Sequence, residues 1–115
     1  MADPVLHFEI QSSEAPKLQQ FYGDAFGWKI DANNPMNYGM VEAGKGGIGG
    51  GIAPSMSGEN LVTFYIQVDD IPGSLEKIEK LGGKTLLPEM DVPDGPTIAM
   101  FSDPQGNTIG LVKGM

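Results

Sequence analysis

An approximate internal repeat limits what this chain of 115 residues can fold into more than any other feature. A shift of 56 positions, the spacing from Phe8 to Phe64 and from Pro16 to Pro72, superposes the two halves. The same shift aligns alternating apolar segments, helix starts marked by proline and glycines that end helices. Each half therefore predicts one βαβββ unit. Because such a unit cannot close a core alone, two must pack together within the chain or across a dimer.

The first half begins with a segment from Val5 to Gln11 in which apolar and polar residues alternate. This period of two predicts a strand with Phe8 and Ile10 on one face. A helix is predicted next, with a serine cap and a proline in its first turn. Its apolar residues recur at helical spacing and predict a buried stripe. The polar face of the strand carries His7, Glu9 and Gln11, and the helical stripe consists of Leu18, Phe21, Tyr22, Ala25 and Phe26.

The second half repeats this order with a predicted strand from Leu61 to Val68. Asp69-Asp70 is the expected cap of the second helix, whose stripe of Leu75, Ile78 and Leu81 ends before two glycines. Turn residues divide the remaining sequence into short predicted strands. These lie at Trp28–Asp31, Asn37–Ala43, Gly47–Ala53, Lys84–Pro88, Pro96–Ser102 and Asn107–Lys113.

Composition excludes several classes of chemistry. The chain has no cysteine, so disulfides, thiolate catalysis and cysteine-bound zinc are excluded. All seven basic residues are lysines, so no guanidinium can clamp a phosphate or carboxylate. A net charge of −8 disfavours nucleic acid and anionic membranes as partners. The N-terminal sequence lacks the features of a targeting segment, and we expect a cytoplasmic protein.

The order of elements, with Gly49-Gly50-Gly51-Ile52, Val68-Asp69-Asp70 and the turn Asp103-Pro104-Gln105-Gly106-Asn107, resembles the vicinal oxygen chelate superfamily. That superfamily includes glyoxalase I, extradiol dioxygenases and bleomycin-resistance proteins. The resemblance implies an α+β fold in which the mixed sheets of two βαβββ modules curl into a cup, with helices outside. It predicts a single glyoxalase-like domain over residues 1–115, with module 1 at about 1–56 and module 2 at about 57–115. A homodimer is also expected.

The resemblance implies four metal-ligand positions, two from each module: His7, Gly49, Thr63 and Gly110. Only the histidine binds a divalent metal well, because glycine has no side chain and a neutral hydroxyl is a poor ligand. We therefore expect that the metal site is lost and that no metal cofactor is bound. An alternative is a relocated site in which Glu9 and Glu42 join His7. The ~7 Å between alternate strand residues is wide for chelating one ion.

The polar strand faces predict a cup that binds a small organic molecule. Trp28, Tyr38 and Tyr65 could form an aromatic cleft for a flat ligand. An alternative function is a divalent-metal-dependent lyase, isomerase or dioxygenase with atypical ligands around His7 and Glu9, or a metal-free catalyst that uses these two as base and acid. A domain that binds a partner protein is a third interpretation. The predicted pocket is lined by His7, Glu9, Gln11, Tyr65, Gln67, Met40 and Met100.

Overall fold

The computed structural model describes residues 2–93 and 95–114, and two successive βαβββ segments run through them. The α+β class and the duplicated order of elements are therefore confirmed. The strands β1 and β5 begin and end 56 positions apart, and the two helices begin 56 positions apart, as the repeat predicts. The first segment has β1 at Val5–Ser12, α1 at Ala15–Phe26, β2 at Ile30–Asp31, β3 at Gly39–Val41 and β4 at Gly50–Pro54. The second has β5 at Leu61–Val68, α2 at Ile71–Lys80, β6 at Lys84–Asp91, β7 at Thr97–Ser102 and β8 at Thr108–Lys113.

Two compact units divide the chain, and each contains a mixed sheet. The first unit runs from His7 to Thr63, and the second combines the few residues up to Leu6 with the chain from Phe64 onward. In the first unit β1 pairs in parallel with β4, and β4, β3 and β2 follow as antiparallel neighbours. In the second unit β5 pairs in parallel with β8, and β8, β7 and β6 are antiparallel neighbours. Neither helix in the described ranges is long and apolar enough to cross a membrane.

In the second unit, α2 covers one face of the sheet. Asp70 caps the helix as expected, since its Oδ1 accepts a hydrogen bond from the Gly73 amide at 3.1 Å. The prediction for Leu81 is wrong: α2 ends at Lys80, and Leu81 is 70% exposed at its C-terminus. The buried cluster beneath the helix consists of Val68, Ile71, Leu75, Ala99, Phe101 and Leu111.

In the first unit, the predicted stripe of α1 is wrong for three of its five members. Phe21 is 57% exposed, Phe26 is 64% exposed and Ala25 is exposed as well. Gly27, at a left-handed φ of 69°, ends the helix, and the Trp28 ring that follows stacks on Tyr22 with centroids 5.0 Å apart.

The aromatic contact continues from Trp28 to β1, because the Phe8 ring lies 5.5 Å from the Trp28 ring. Phe8 in turn occupies the space where Gly50 of β4 has no side chain.

The start of α1 also differs from expectation. Glu14 is the N-cap without a side-chain hydrogen bond, and the Ser12 hydroxyl accepts from the Glu14 amide in the turn before the helix.

Replacing Leu75 by alanine should destabilise the protein by about 2–5 kcal/mol, because the side chain is 7% exposed and packs in the α2 cluster. Leu81→Ala is the matched control and should change the free energy of unfolding by about 0.5 kcal/mol or less. Urea denaturation of both variants measures the difference. Equal destabilisation by the two substitutions would contradict the packing described for α2.

Candidate functional site

The polar face of β1 carries a hydrogen-bonded group of side chains, all within the first unit. The Tyr38 hydroxyl donates to Oε1 of Glu9 at 3.0 Å and lies 2.8 Å from Nε2 of His7. Gln11 donates from Nε2 to the second carboxylate oxygen of Glu9 at 2.9 Å. We call His7, Glu9, Gln11 and Tyr38 the Tyr38 network. It brings together three of the residues predicted to line a pocket and adds one that was predicted only for an aromatic cleft.

Tyr38 reaches β1 because Gly51 of β4 lies between them. Gly51 is directly opposite Glu9 in the parallel pair and opposite Met40 in the antiparallel pair, so these positions share one face of the sheet. A Cβ atom built on Gly51 would overlap ring atoms of Tyr38. The phenol ring therefore occupies the space that a side chain at Gly51 would need.

The loop before β3 fixes the backbone of Tyr38. Oδ1 of Asn34 accepts from the amides of Met36 at 3.2 Å and Tyr38 at 2.9 Å, and its Nδ2 donates to the Tyr38 carbonyl at 2.7 Å. Asn37 has a left-handed φ of 52°, a conformation that asparagine tolerates better than most residues. Nε2 of Gln19 from α1 donates to the carbonyls of Asn37 and Ile52, at 3.3 and 2.8 Å. Tyr38 is thus held from three directions.

The other end of the network is closed by Met56. Its amide donates to Oε1 of Gln11 at 3.3 Å, and its sulfur lies 3.8 Å from Nε2 of Gln11. Glu9 is 4% exposed and Gln11 is 3% exposed, whereas His7 and Tyr38 are half-buried. Within the described residues, every buried side-chain nitrogen and oxygen has a hydrogen-bond partner. The network is open to solvent at its His7–Tyr38 end rather than at Gln11.

Electrostatics favour a neutral His7. Burial of the ring lowers the pKa of the imidazole below the ordinary 6.5, and the negative charge of Glu9 opposes this shift by a smaller amount. The ring stacks on Tyr38 with centroids 6.2 Å apart, so the phenol supplies part of its surroundings.

The remaining predicted pocket residues divide between the units. In the first unit Met40 is on the same sheet face as Glu9 but is exposed. In the second unit, Tyr65 and Met100 flank Gly110 on neighbouring strands, and both are buried. Gln67 is half-buried two positions further along β5, opposite Val112.

Strand register relates the glycines of the two units. Gly51 lies opposite Glu9, and Gly110 lies opposite Tyr65, which is 56 positions after Glu9. Gly51, two residues after Gly49, is therefore the counterpart of Gly110. A Cβ on Gly110 would overlap the ring of Tyr65, just as one on Gly51 would overlap Tyr38. In both units a tyrosine ring fills the space above the glycine.

The side chains that could bind a metal are not clustered. Residues 2–93 and 95–114 contain no group of three or more His, Asp or Glu side chains close enough to hold an ion. Glu42, the third member of the suggested relocated site, is exposed, and its backbone amide donates to the carbonyl of Lys29.

Comparison with known proteins identifies the family. Residues 5–111 match the model of the Glyoxalase/Bleomycin resistance protein/Dioxygenase superfamily. A glyoxylase-like domain-containing protein from Didymella fabae is 33% identical over 121 residues, covering 90% of this chain and 92% of that protein. The chain belongs to the glyoxalase/bleomycin resistance/dioxygenase superfamily, which confirms the resemblance seen in the sequence.

More distant matches agree on the fold. The putative glyoxylase CFP32 of Mycobacterium bovis is 28% identical over 112 residues, which cover 90% of this chain but only 42% of that protein. The crystal structure of the hypothetical protein BH1468 from Bacillus halodurans aligns with a TM-score of 0.73 and 13% identity, covering 100% of this chain and 96% of that one. Methylmalonyl-CoA epimerase from Mycobacterium tuberculosis aligns with a TM-score of 0.63 and 14% identity, covering 96% and 87%. Identities this low show a shared fold and no more.

The titration of His7 should respond to Glu9. Because the Glu9 charge is the influence that raises the pKa of His7, Glu9→Gln should lower that pKa further. In wild type, the unfolded chain binds a proton at His7 that the folded chain does not, so stability should fall as pH drops below about 6.5. Proton NMR reads the titration directly, since His7 is the single histidine. Glu14→Gln, at an exposed carboxylate, is the control; an unchanged or higher pKa in Glu9→Gln would contradict the assignment.

Adding a methyl group at Gly51 should disrupt the network. Gly51→Ala forces the Tyr38 ring to move, and we expect a loss of about 1–3 kcal/mol in unfolding free energy together with a changed chemical shift of the His7 ring. Gly44→Ala is the control, because a methyl there meets nothing within 4 Å. Denaturation and NMR spectra of the two variants give both readouts. A Gly51→Ala protein with unchanged stability and an unchanged His7 signal would show that the ring does not lie there.

Proposed function

We propose that this protein binds a small organic molecule at the Tyr38 network, in a site without the divalent metal of its superfamily's enzymes. The observation that carries the proposal is the pair of tyrosine rings. The resemblance implies ligand positions at Gly49 and Gly110, and both lack a side chain. Register makes Gly51, two residues after Gly49, the counterpart of Gly110, and the rings of Tyr38 and Tyr65 fill the space above Gly51 and Gly110.

The side chains at the expected ligand positions also argue against a bound metal. Nε2 of His7 is hydrogen-bonded to the Tyr38 hydroxyl, so this nitrogen faces a phenol rather than an ion. Thr63 supplies a neutral hydroxyl, which is a weak ligand for Zn²⁺, Ni²⁺, Mn²⁺ or Fe²⁺. The residues present therefore do not fit the metal.

Burial and chemistry support a binding role for the network. Proteins rarely keep a carboxylate that is 4% exposed unless its hydrogen bonds offset the cost of removing it from water. The network meets this cost with Tyr38 and Gln11, yet leaves His7 and Tyr38 partly open. Small-molecule sites commonly combine an apolar wall with a few convergent polar groups of this kind. Sequestration of an antibiotic, as in the bleomycin-resistance proteins the sequence resembles, is one concrete version.

An enzyme remains the second candidate, because His7 and Glu9 place an imidazole and a carboxylate on one strand face. In that alternative the protein is a divalent-metal-dependent lyase, isomerase or dioxygenase, or a metal-free acid–base catalyst. One structural neighbour is named as an epimerase of methylmalonyl-CoA. This chain has no arginine that could bind the phosphates of coenzyme A in a bidentate fashion. The expected homodimer stays a prediction.

Metal content and fragment binding test the proposal together. Protein purified without chelators should hold far less than one Zn, Ni, Mn or Fe per chain by mass spectrometry. Added Ni²⁺ should raise its melting temperature no more than it raises that of His7→Ala. In a fragment library screened by NMR, ligands should shift the amides of residues 7–11 and of Tyr38, and Tyr38→Phe should weaken them by about 1 kcal/mol.

Tyr22→Phe is the matched control, because it removes a hydroxyl from a tyrosine of the aromatic contact on α1. It should leave fragment affinity unchanged. Stoichiometric metal that disappears in Glu9→Gln would overturn the metal-free site and favour the enzyme. Fragments that bind only away from the Tyr38 network would overturn the binding site itself.

A further inference from the structure

The loop after β4 holds an exposed methionine against a buried side chain. Met56 is 59% exposed, yet its sulfur lies 3.8 Å from Nε2 of the buried Gln11. Its backbone amide donates to Oε1 of the same carboxamide at 3.3 Å. The amide of Ser55 donates to the carbonyl of Ser12 at 2.9 Å, which joins the loop to the end of β1. Hydrogen bonds, rather than burial, therefore place Met56 at the Gln11 end of the Tyr38 network.

No other methionine in residues 2–93 and 95–114 combines exposure with such a contact. Met36, Met40 and Met90 are exposed, but their sulfur atoms accept no hydrogen bond. Met100 on β7 is 4% exposed and lies in the core of the second unit. Met56 is thus the described methionine at which a change on the surface can reach a buried polar group directly.

The carboxamide of Gln11 is held by contacts of unequal strength. One hydrogen of its Nε2 goes to Oε2 of Glu9 at 2.9 Å, and the other is directed to the sulfur of Met56. A carboxylate is a strong acceptor, whereas a thioether sulfur is a weak one. The contact with Met56 is therefore the weaker of the two hydrogen bonds that Gln11 donates.

We propose that Met56 is a site of reversible oxidation by peroxides, and that its sulfoxide holds Gln11 more firmly than the thioether does. A lone pair of the sulfur attacks one oxygen of hydrogen peroxide, and the O–O bond breaks. The sulfur gains that oxygen and loses two electrons, while the other oxygen takes both hydrogens and leaves as water. Methionine sulfoxide reductases reverse the change. A dithiol then supplies two electrons, becomes a disulfide, and the oxygen leaves as water.

The exposure of Met56 determines the direction of the effect. Oxidation of a buried methionine places a polar group in a core and destabilises it. The Met56 side chain is mostly in water, so its sulfoxide oxygen needs no costly desolvation. This oxygen is a stronger acceptor than the sulfur, and the Nε2 hydrogen of Gln11 is already directed toward it. Oxidation should therefore strengthen the contact between the loop and the network.

This inference goes beyond the proposed function and does not depend on it. It concerns the contacts between Met56 and Gln11, which exist whatever the Tyr38 network binds. A protein that binds none of the fragments would still show the oxidation and its effect on Gln11. Failure of the binding site and failure of this inference are therefore separate results.

Peptide mapping by mass spectrometry tests where oxidation occurs. In limiting hydrogen peroxide, Met56 should be oxidised at least about tenfold faster than Met100, which meets the oxidant only when the second unit opens. The two methionine sulfoxide reductases, one for each epimer, should then restore the original mass of the Met56 peptide with dithiothreitol as reductant. Oxidation as slow as that of Met100, or a sulfoxide that the reductases leave in place, would overturn the proposal.

NMR of the Gln11 side-chain amide tests the effect of oxidation. In oxidised wild type, the Nε2 hydrogens of Gln11 should shift downfield and exchange more slowly with water, because their hydrogen bonds are stronger. Met56→Leu keeps an apolar side chain without sulfur, so peroxide should leave its Gln11 signals unchanged. Met36→Leu is the matched control, since it removes an exposed sulfur that makes no contact with Gln11. It should show the same shift as wild type.

The comparison of oxidised with reduced wild type needs no variant. Gln11 signals that stay unchanged, or move upfield, when Met56 is fully oxidised would overturn the proposal. A downfield shift that persists in Met56→Leu would assign the effect to another methionine and would overturn it as well. Loss of the shift in Met36→Leu would have the same meaning.

Discussion

In the first unit, the hydrogen bonding of the buried Glu9 carboxylate depends on the close approach of the Tyr38 ring to β4. Tyr38 lies above Gly51 because a glycine leaves that space empty, and its hydroxyl then bridges His7 and Glu9. A buried carboxylate without donors would cost several kcal/mol, of order the stability of many whole domains. Tyr38 and Gln11 supply those donors. The loop around Asn34 and the side chain of Gln19 serve this contact, since both hold the backbone on either side of the ring.

A second consequence of the same contact is that the polar groups of the network are linked across the chain. The Tyr38 hydroxyl joins the carboxylate of Glu9 to the imidazole of His7, which lies 31 residues earlier in the sequence. Met56 completes the pattern at Gln11. The side chains therefore act as one unit, and their individual contributions to stability will not add.

Much of the fold could be predicted from the sequence, because its signals are local. Alternation placed β1 and β5 within one residue of their observed ends, and Asp70 with Pro72 marked the start of α2. Helical spacing failed at Phe21 and Phe26, since it detects an apolar face but not what covers that face. Trp28, which follows the helix end at Gly27, packs against Phe8 of β1 and Tyr22 of α1.

The site was less accessible to sequence reasoning. Period two put His7, Glu9 and Gln11 on one face, but the partner of Glu9 lies 29 residues away and depends on strand register. The turn signal at Asn34 was visible, whereas its hydrogen bonds to the Tyr38 backbone were not. In the sequence, Gly51 is one of three consecutive glycines within a predicted strand. Only the register opposite Glu9 distinguishes it from Gly49 and Gly50.

The tyrosine rings above Gly51 and Gly110 restrict which substitutions these two positions can accept. A carboxylate that arises at either glycine collides with the tyrosine above it. If Tyr38 is lost first, Glu9 loses a donor while still buried; if Tyr65 is lost first, a void opens in the second unit. Neither order of single substitutions is neutral, so every stepwise route to a carboxylate at either glycine passes through a less stable protein.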